Sequence, residues 1–467
     1  MKSKYCVSRY LNIINIEDGK TSLLFNGMNG CIDEIPRELG DILVSRSRTM
    51  ISKIPSVNIE FLKNRGHITT LAPQAELEKF KEFVEALHAK KINSVSTGGV
   101  VLLVSYNCNL SCAYCYQQEH RPHKSSAIMS EQLVEDIFKK YMPSLLPGID
   151  NPAVYLYGGE PFLPANGPII RKILKFAESG NNIAMGTVTN GTTVDKMLDI
   201  FGPGPGKING VQISLDGAKP LHDKSRALLP DASPTFDIII KNIQLLIKQD
   251  IQITLRINSD IDKFDTIPDL LAELKAKNIL GDKHVTVYAY PLHANIAKID
   301  SKKFLDLSAT SQKICMLGAK FEHPSIVHAN DWGHLFQQDK GIALTNSCYC
   351  MQTLQQHVVI DPFGDVYACT EEAGYPEFRI GHIDAKTGVE FFPLRDVYKT
   401  RHLANMPDCL GCSVALACGG QCGMLSRAKT GDLFKPYCNG AKEAILDSIK
   451  LAYSKKRMQS QKTVSAP

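Results

Sequence analysis

Val100-Val101-Leu102-Leu103-Val104 and, after three intervening residues, Cys108-Asn109-Leu110-Ser111-Cys112-Ala113-Tyr114-Cys115 decide how the rest of the chain is read. The first run is apolar and of strand length; the second puts three thiols at Cx3Cx2C spacing on the loop that leaves it. Such a triad wraps three corners of a 4Fe-4S cube and leaves the fourth iron without a protein ligand, open to a small molecule. The alternative is zinc held by Cys112 and Cys115 with His120 and His123, but the gap between those pairs is far shorter than the ~12 residues of a zinc finger.

Working outward, short apolar runs recur at Ala153 to Tyr157, Ile183 to Val188, Val211 to Leu215, Ile251 to Ile257 and Val285 to Tyr290. Between them lie amphipathic stretches. Ser130 to Tyr141 carries Leu133, Ile137 and Tyr141 at i+4 spacing, and Phe236 to Lys248 carries Ile239, Ile243, Leu246 and Ile247 on one side. Six strands alternating with helices predict parallel βαβ crossovers and a barrel short of the usual eight strands. The later strands end in polar or glycine-rich segments: Tyr157-Gly158-Gly159-Glu160-Pro161, Thr189-Asn190-Gly191, Ser214-Leu215-Asp216-Gly217 and Arg256-Ile257-Asn258. Parallel barrels build their sites at the carboxyl ends of the strands, so these segments and the cysteine loop are expected to face one cavity.

Over about residues 98–320 this combination resembles the radical SAM enzyme superfamily. The resemblance implies an α/β fold built on a partial (β/α)6 TIM barrel. It also implies that Cys108, Cys112 and Cys115 ligate a 4Fe-4S cluster whose open iron takes the amine and carboxylate of S-adenosyl-L-methionine. An electron from the cluster then cleaves the sulfonium and yields a 5′-deoxyadenosyl radical that abstracts hydrogen from an unactivated C–H. By the same resemblance Tyr114 lies beside adenine, Gly158 and Gly159 approach the methionyl amine and Glu160 orients that turn. Ser214 meets the ribose, and Arg226, in His222-Asp223-Lys224-Ser225-Arg226, pairs with the carboxylate. A flavodoxin- or ferredoxin-type electron donor is implied as partner.

Fourteen cysteines in 467 residues, 44% of them hydrophobic, suit a metal-binding protein with a real core better than a small disulfide scaffold. Cys6, Cys31 and Cys315 stand alone and read as buried or incidental thiols. The C-terminal ones form a pattern: Cys348, Cys350, then Gly364-x4-Cys369, then Cys409-x2-Cys412-x5-Cys418-x3-Cys422 and Cys438. After about residue 320 the strand and helix alternation stops, so metal coordination is expected to organise this segment. The spacing resembles the SPASM extension of radical SAM peptide-modifying enzymes, which holds two auxiliary 4Fe-4S clusters, three clusters in all. Its interleaved ligands carry over as Cys348, Cys350, Cys369 and Cys422 for the first, with either Cys348 or Cys350 a bystander, and Cys409, Cys412, Cys418 and Cys438 for the second. A pair of zinc sites fits some of these spacings.

At the other end, residues 1–75 carry a hairpin signal, Tyr10 to Ile16 and Ser22 to Phe25 around Glu17-Asp18-Gly19-Lys20, then helical stretches Pro36 to Val44 and Val57 to Lys63 and a short run Ile68 to Leu71. This is similar in shape to the winged-helix-like leader-peptide recognition module of peptide maturases, which captures a leader by adding a strand to its sheet. Ala72 to Lys91 predicts a charged helix, giving a linker over 76–97. The expected order is therefore the module at 1–75, linker, radical SAM partial barrel at 98–320, cysteine-rich iron-sulfur domain at 321–453 and a disordered tail at 454–467. No cofactor ligand is expected in residues 1–90, so their removal is expected to leave SAM cleavage measurable.

Lys+Arg 53 against Asp+Glu 48 leaves a net charge of +5, too small over this length to argue for nucleic acid or an anionic membrane. No apolar run approaches the ~18 residues of a membrane span, and no signal-peptide core follows the start, so a cytoplasmic location is expected. The function expected is maturation of a ribosomally made precursor peptide by thioether or carbon-carbon crosslinking. The alternatives are formylglycine formation on a sulfatase and a non-catalytic iron-sulfur or zinc regulator binding nucleic acid. Sulfatase maturases carry an aspartate base after the cysteine of Gly-x4-Cys; here Thr370 stands there, and Glu371 or Glu372 is the candidate catalytic base.

Overall fold

Strand β6, Gly99–Ser105, is buried along its whole length. A continuous apolar run of this kind belongs to a parallel sheet covered on both faces, and β6 has such neighbours. In this computed structural model, which describes residues 3–94, 96–120, 126–179, 183–292, 306–310, 312–313, 326–328 and 344–464, it pairs in parallel with β7, Ala153–Gly158. The sheet then continues in chain order through β8, Met185–Thr189, β9, Gly210–Leu215, β10, Gln252–Ser259, and β11, Val285–Pro291, every pairing parallel. All six expected strands are present, the third beginning at Met185 rather than Ile183.

The parallel set does not stop at six. β12, Ile326–His328, adds to β11, and β13, His357–Ile360, adds in parallel to the other edge at β6. From β13 the sheet runs on antiparallel through β14, Asp365–Tyr367, β15, Arg379–Asp384, and β16, Gly388–Phe391, eleven strands in one open sheet. Sheet pairing therefore organises part of the C-terminal region, for which metal coordination was the expected organiser. Val358, Val359, Ile360, Val366 and Tyr367 are buried, so this region has apolar packing of its own. The boundary expected at residues 320–321 lies outside the described residues, as do His123 and Cys315; Cys6 and Cys31 are half-buried.

The segment read as one helix from Ser130 to Tyr141 is two. Ser130 caps it, its Oγ accepting from Leu133 N, and α-helix covers Glu131–Asp136. Ile137–Tyr141 is a π turn, yet Leu133, Ile137 and Tyr141 still pack on one core.

In the N-terminal unit β2, Leu11–Asn15, and β3, Thr21–Asn26, form the expected hairpin, and β4, Ile32–Pro36, is a third strand at its edge. Helices α1, Arg37–Val44, α2, Arg48–Ile51, and α3, Ser56–Asn64, follow. β5, Ile68–Thr69, closes instead on β1, Cys6–Val7.

Helix α4, Pro73–Asn93, occupies the linker position but is not a free linker. Its Phe80 and Val84 share one core with Tyr10, Leu23 and Phe25 and with Leu403, Met406, Val414, Leu416 and Ile445 of the C-terminal region. Tyr10 Oη donates to Leu410 O at 2.7 Å, Asn12 Nδ2 to Ser413 O at 3.0 Å, and Ser413 Oγ returns to Asn12 Oδ1 at 2.6 Å. Removing residues 1–90 therefore strips seven of the 22 buried residues of this core. The expected disordered tail is also corrected: helix Ala441–Val464 runs through most of it, with Arg457 Nη1 2.6 Å from Asp18 Oδ2. No described helix is long and apolar enough to cross a membrane.

Candidate active site

At the carboxyl ends of the strands a cavity of about 210 Å³ opens between the cysteine loop and the later strand ends. Cys108, Cys112 and Cys115 line it together with Gly158, Gly159, Ser214 and Arg226. The loop is held by its neighbours' backbones. Gly159 N donates to Ser105 O and Glu160 N to Asn107 O. A Cβ at Gly158 would come to 2.3 Å of Ser105 O and one at Gly159 to 2.1 Å of Asn107 O, so no side chain fits at either place. On the other side Asn190, at the end of β8, donates to Asn109 Oδ1 at 2.8 Å and reaches Cys108 Sγ at 3.8 Å.

Glu160 is fully buried but does not line the cavity. Its carboxylate accepts from Phe162 N, Thr189 Oγ1 and Asn190 N at 2.7–3.0 Å. It is a strut between the Gly-Gly turn and the next strand.

Behind the lining residues Tyr114 and Arg226 lies a buried charge network around Asp216, a residue quoted above without a role. Asp216 accepts from Tyr114 Oη at 2.8 Å, Lys263 Nζ at 3.0 Å and Ser225 Oγ at 2.9 Å, and Arg226 Nη1 stands 3.6 Å away. Arg226 Nη1 also donates to Tyr114 Oη at 2.7 Å, and Lys263 Nζ lies 4.5 Å from the centre of the Tyr114 ring. Burial alone would raise the Asp216 carboxyl; the two cations reverse this and hold it below its ordinary value. Arg226 is therefore no surface arginine: it is 6% exposed, and its Nε, buried at the cavity wall, has no hydrogen-bond partner among the described residues.

Residues 102–259 match the family described as Radical SAM superfamily. They are a radical SAM domain. The chain is 21% identical over 452 residues, 89% of each chain, to the radical SAM cyclopropyl synthase TigE of Paramaledivibacter caminithermalis. It is 27% identical, over 62% of its own length and 77% of the relative's, to the cysteine-type anaerobic sulfatase-maturating enzyme of Clostridium novyi. Among solved structures the fold is similar to native anSMEcpe with bound AdoMet and Cp18Cys peptide, with TM-score 0.56, 16% identity and coverage of 77% of this chain and 100% of that one. It is also similar to Streptococcus suis SuiB bound to S-adenosylmethionine, with TM-score 0.51, 17% identity and coverage of 93% and 99%.

The donor set fits what a radical SAM domain binds: three thiols on one loop and an unsatisfied guanidinium nitrogen border the same space. The cavity is also lined by Tyr116, Tyr157, Arg256, Thr370 and Glu371, and the Tyr116 and Tyr157 hydroxyls are 2.8 Å apart. Burial pushes the Tyr157 hydroxyl up to about 12, so it stays protonated. Of the two candidate bases only Glu371 lines the cavity. Glu372 is turned away, fully buried, against Tyr398 Oη and Arg427 Nη1, and burial pushes it up to about 7.

The remaining cysteines gather in two sets. Cys409, Cys412, Cys418 and Cys438 lie within electrostatic reach of one another, and burial pushes the Cys409 thiol up. Cys422 stands in the same relation to Cys350 and Cys369, with Cys348 beside Cys350. Cys348 Sγ approaches Cys350 O at 3.8 Å. Lys263 and Arg401, the latter described below, escaped the sequence reading; Asp216 and Arg256 stood in the quoted strand-end segments but were given no role.

Proposed function

We propose that this radical SAM enzyme is a peptide maturase whose C-terminal region is of SPASM type, with two auxiliary 4Fe-4S clusters. Cys350, Cys369 and Cys422 with Cys348 would hold the first, and Cys409, Cys412, Cys418 and Cys438 the second. The grouping of eight C-terminal cysteines into these two sets is the observation that carries the reading. When bound, the open cluster and S-adenosylmethionine supply a carbon-centred radical able to abstract hydrogen. The chain's own residues do the rest. Arg226 offers its Nε to a carboxylate, Ser214 and Tyr114 border the nucleoside side, and Glu371 is positioned to take a proton from substrate in the cavity near Cys369.

The substrate is proposed to be a ribosomally made precursor peptide, with an electron donor of flavodoxin or ferredoxin type. The outer edge of β4 is unpaired among the described residues, and Val57 and Phe61 of the adjacent α3 are 71% and 39% exposed, which suits addition of an extended leader strand. A thioether or carbon-carbon bond, the latter including a cyclopropane as in the TigE relative's name, would each remove two hydrogens. Co-expression with a candidate precursor should give a mass loss of ~2 Da per bond formed, the mass of two hydrogens removed by radical abstraction and subsequent oxidation. Glu371→Gln should slow that reaction more than SAM cleavage.

The sulfatase-maturase reading is the second, favoured by the Clostridium novyi relative but opposed by Thr370, a hydroxyl without useful basicity in the base position. An aldehyde appearing on a sulfatase-derived Cys or Ser peptide at the rate of SAM consumption would overturn the crosslinking reading in its favour.

A further inference from the structure

Between the two cysteine sets lies one buried cation. Arg401 is 2% exposed and among the largest fully buried side chains described. Its Nε donates to Leu433 O at 2.7 Å, and its Nη2 donates to Gly420 O at 3.1 Å and Ser426 Oγ at 3.2 Å. All three acceptors are neutral. Among the described residues no carboxylate comes within ion-pair distance of it; Glu372, in the same region, is taken by Arg427. A buried guanidinium with hydrogen bonds but no opposite charge is costly, and such a group persists where something else supplies the negative charge.

The backbone around Arg401 identifies what does. Gly420 lies between Cys418 of one set and Cys422 of the other, and a Cβ on Gly423 would meet Arg401 Nε at 3.0 Å, so this segment wraps the guanidinium closely. On the other side Arg401 O accepts from Thr353 Oγ1 at 3.3 Å, and Leu403 N donates to Ser347 O at 2.9 Å, next to Cys348. Arg401 is thus clamped between the segment carrying Cys348 and Cys350 and the segment carrying Cys418 and Cys422. Burial holds the Arg401 guanidinium below its ordinary value; thiolate charge on Cys350, Cys422, Cys409 or Cys348 acts against that, and these four residues represent both sets.

We propose that Arg401 is the shared internal counter-ion of the two auxiliary clusters, a positioning residue that balances their thiolates and raises the reduction potential of both. The inference rests on the two-cluster reading of the C-terminal cysteines. A cube held by four thiolates is net anionic and becomes more so on reduction, so a fixed cation in a low-dielectric interior favours the reduced state. One cation within reach of both sets also couples them, since its charge is set against whichever cluster carries the extra electron.

The test compares reconstituted full-length wild type with Arg401→Lys and Arg401→Gln. Iron content comes first: if the wild type binds only about four irons, one cube, the two-cluster reading fails whatever Arg401 does. With about twelve bound, redox titration followed by electron paramagnetic resonance is the deciding measurement. In Arg401→Gln both auxiliary signals should move to lower potential while the radical SAM cluster's does not, and Arg401→Lys should stay nearer the wild type. Should Arg401→Gln fail to load, iron uptake replaces the titration, with Arg401→Lys expected to load and Arg401→Gln not. Auxiliary potentials unchanged in Arg401→Gln, a shift in only one of them, or equal shifts in Gln and Lys variants would each overturn the proposal. Thermal unfolding without iron gives an independent reading. Relief of the uncompensated cation should leave apo Arg401→Gln no less stable than apo wild type, whereas a merely structural arginine predicts a loss.

Discussion

The thiols of Cys108, Cys112 and Cys115 border a cavity; those of the C-terminal sets are packed within reach of one another and do not line it. Their surroundings differ accordingly. The triad shares its cavity with Arg226, which is backed by the buried charges of Asp216 and Lys263, already hydrogen-bonded in one arrangement. Cys409 sits in an apolar core that the N-terminal unit, α4 and the last helix build together. A site that binds and releases a charged ligand needs preorganised polar groups beside an opening. A site that only holds a group needs closure, and closure here is assembled from both ends of the chain.

The largest effect should separate the two regions outright. Alanine at Cys108, Cys112 and Cys115 should lower iron from about twelve to about eight per chain and abolish 5′-deoxyadenosine formation, measured by iron assay and chromatography. Serine at Cys409, Cys412, Cys418 and Cys438 should lower iron equally yet leave SAM cleavage measurable. The same outcome for both variants would erase the distinction.

Next in size is the closure itself. Phe80→Ala should cost about 3–5 kcal/mol of stability in denaturant unfolding, the range for emptying a buried aromatic site. Deleting residues 1–90 should release the iron of the set around Cys409 before that of the triad.

The buried charges should respond more gently. Asp216→Asn keeps the shape but removes the charge that holds Arg226 and Lys263, and should weaken SAM binding about tenfold to a hundredfold, about 1.5–3 kcal/mol for charge-assisted hydrogen bonds. Binding measured by calorimetry should fall while iron content stays at the wild-type level; loss of iron instead would make Asp216 a structural residue only.

The smallest expected effect lies where the regions join. Tyr106, two residues before Cys108, donates to Asp361 Oδ2 at 3.0 Å, just past β13. Burial, with Asp365 nearby, pushes the Asp361 carboxyl from its usual 3.8 up to about 6. The folded state then binds this proton more tightly than the unfolded one, so stability declines as pH rises from the unfolded value through about 6. Asp361→Asn keeps the acceptor for Phe363 N and Asp365 N and should flatten that decline, by on the order of 1–2 kcal/mol between about pH 5 and pH 7, in unfolding measurements. Parallel pH curves for the two proteins would remove Asp361 as its source.

The barrel strands, the first hairpin and the cysteine loop were legible because each is a local pattern: an apolar run, a turn tetrapeptide, a spacing. Ile32–Pro36 was missed since Asp33-Glu34 interrupts its apolar residues, and it becomes a strand only because β3 lies beside it. His357–Ile360 is a short run whose partner, β6, lies some 250 residues earlier in the chain, a pairing no window detects. The end of the helix after Ala441 reads as a disordered tail because that stretch is polar, although Arg457 finds Asp18 across the molecule. At the site, residue types with known chemistry stood out, whereas Lys263 and Arg401 acquire their roles only from groups brought to them by folding.

The passage of one sheet from the barrel into the C-terminal hairpins has a practical side. Cutting the chain ahead of residue 344 would not release a tidy barrel. It would uncover the backbone of Gly99–Ser105, whose five central residues are Val, Val, Leu, Leu and Val, by removing β13 from its flank. An apolar strand with open donors and acceptors is a template for other chains, so such a fragment should precipitate or polymerise edge to edge. A soluble barrel fragment would have to keep at least His357–Ile360, or carry charged replacements along the exposed edge.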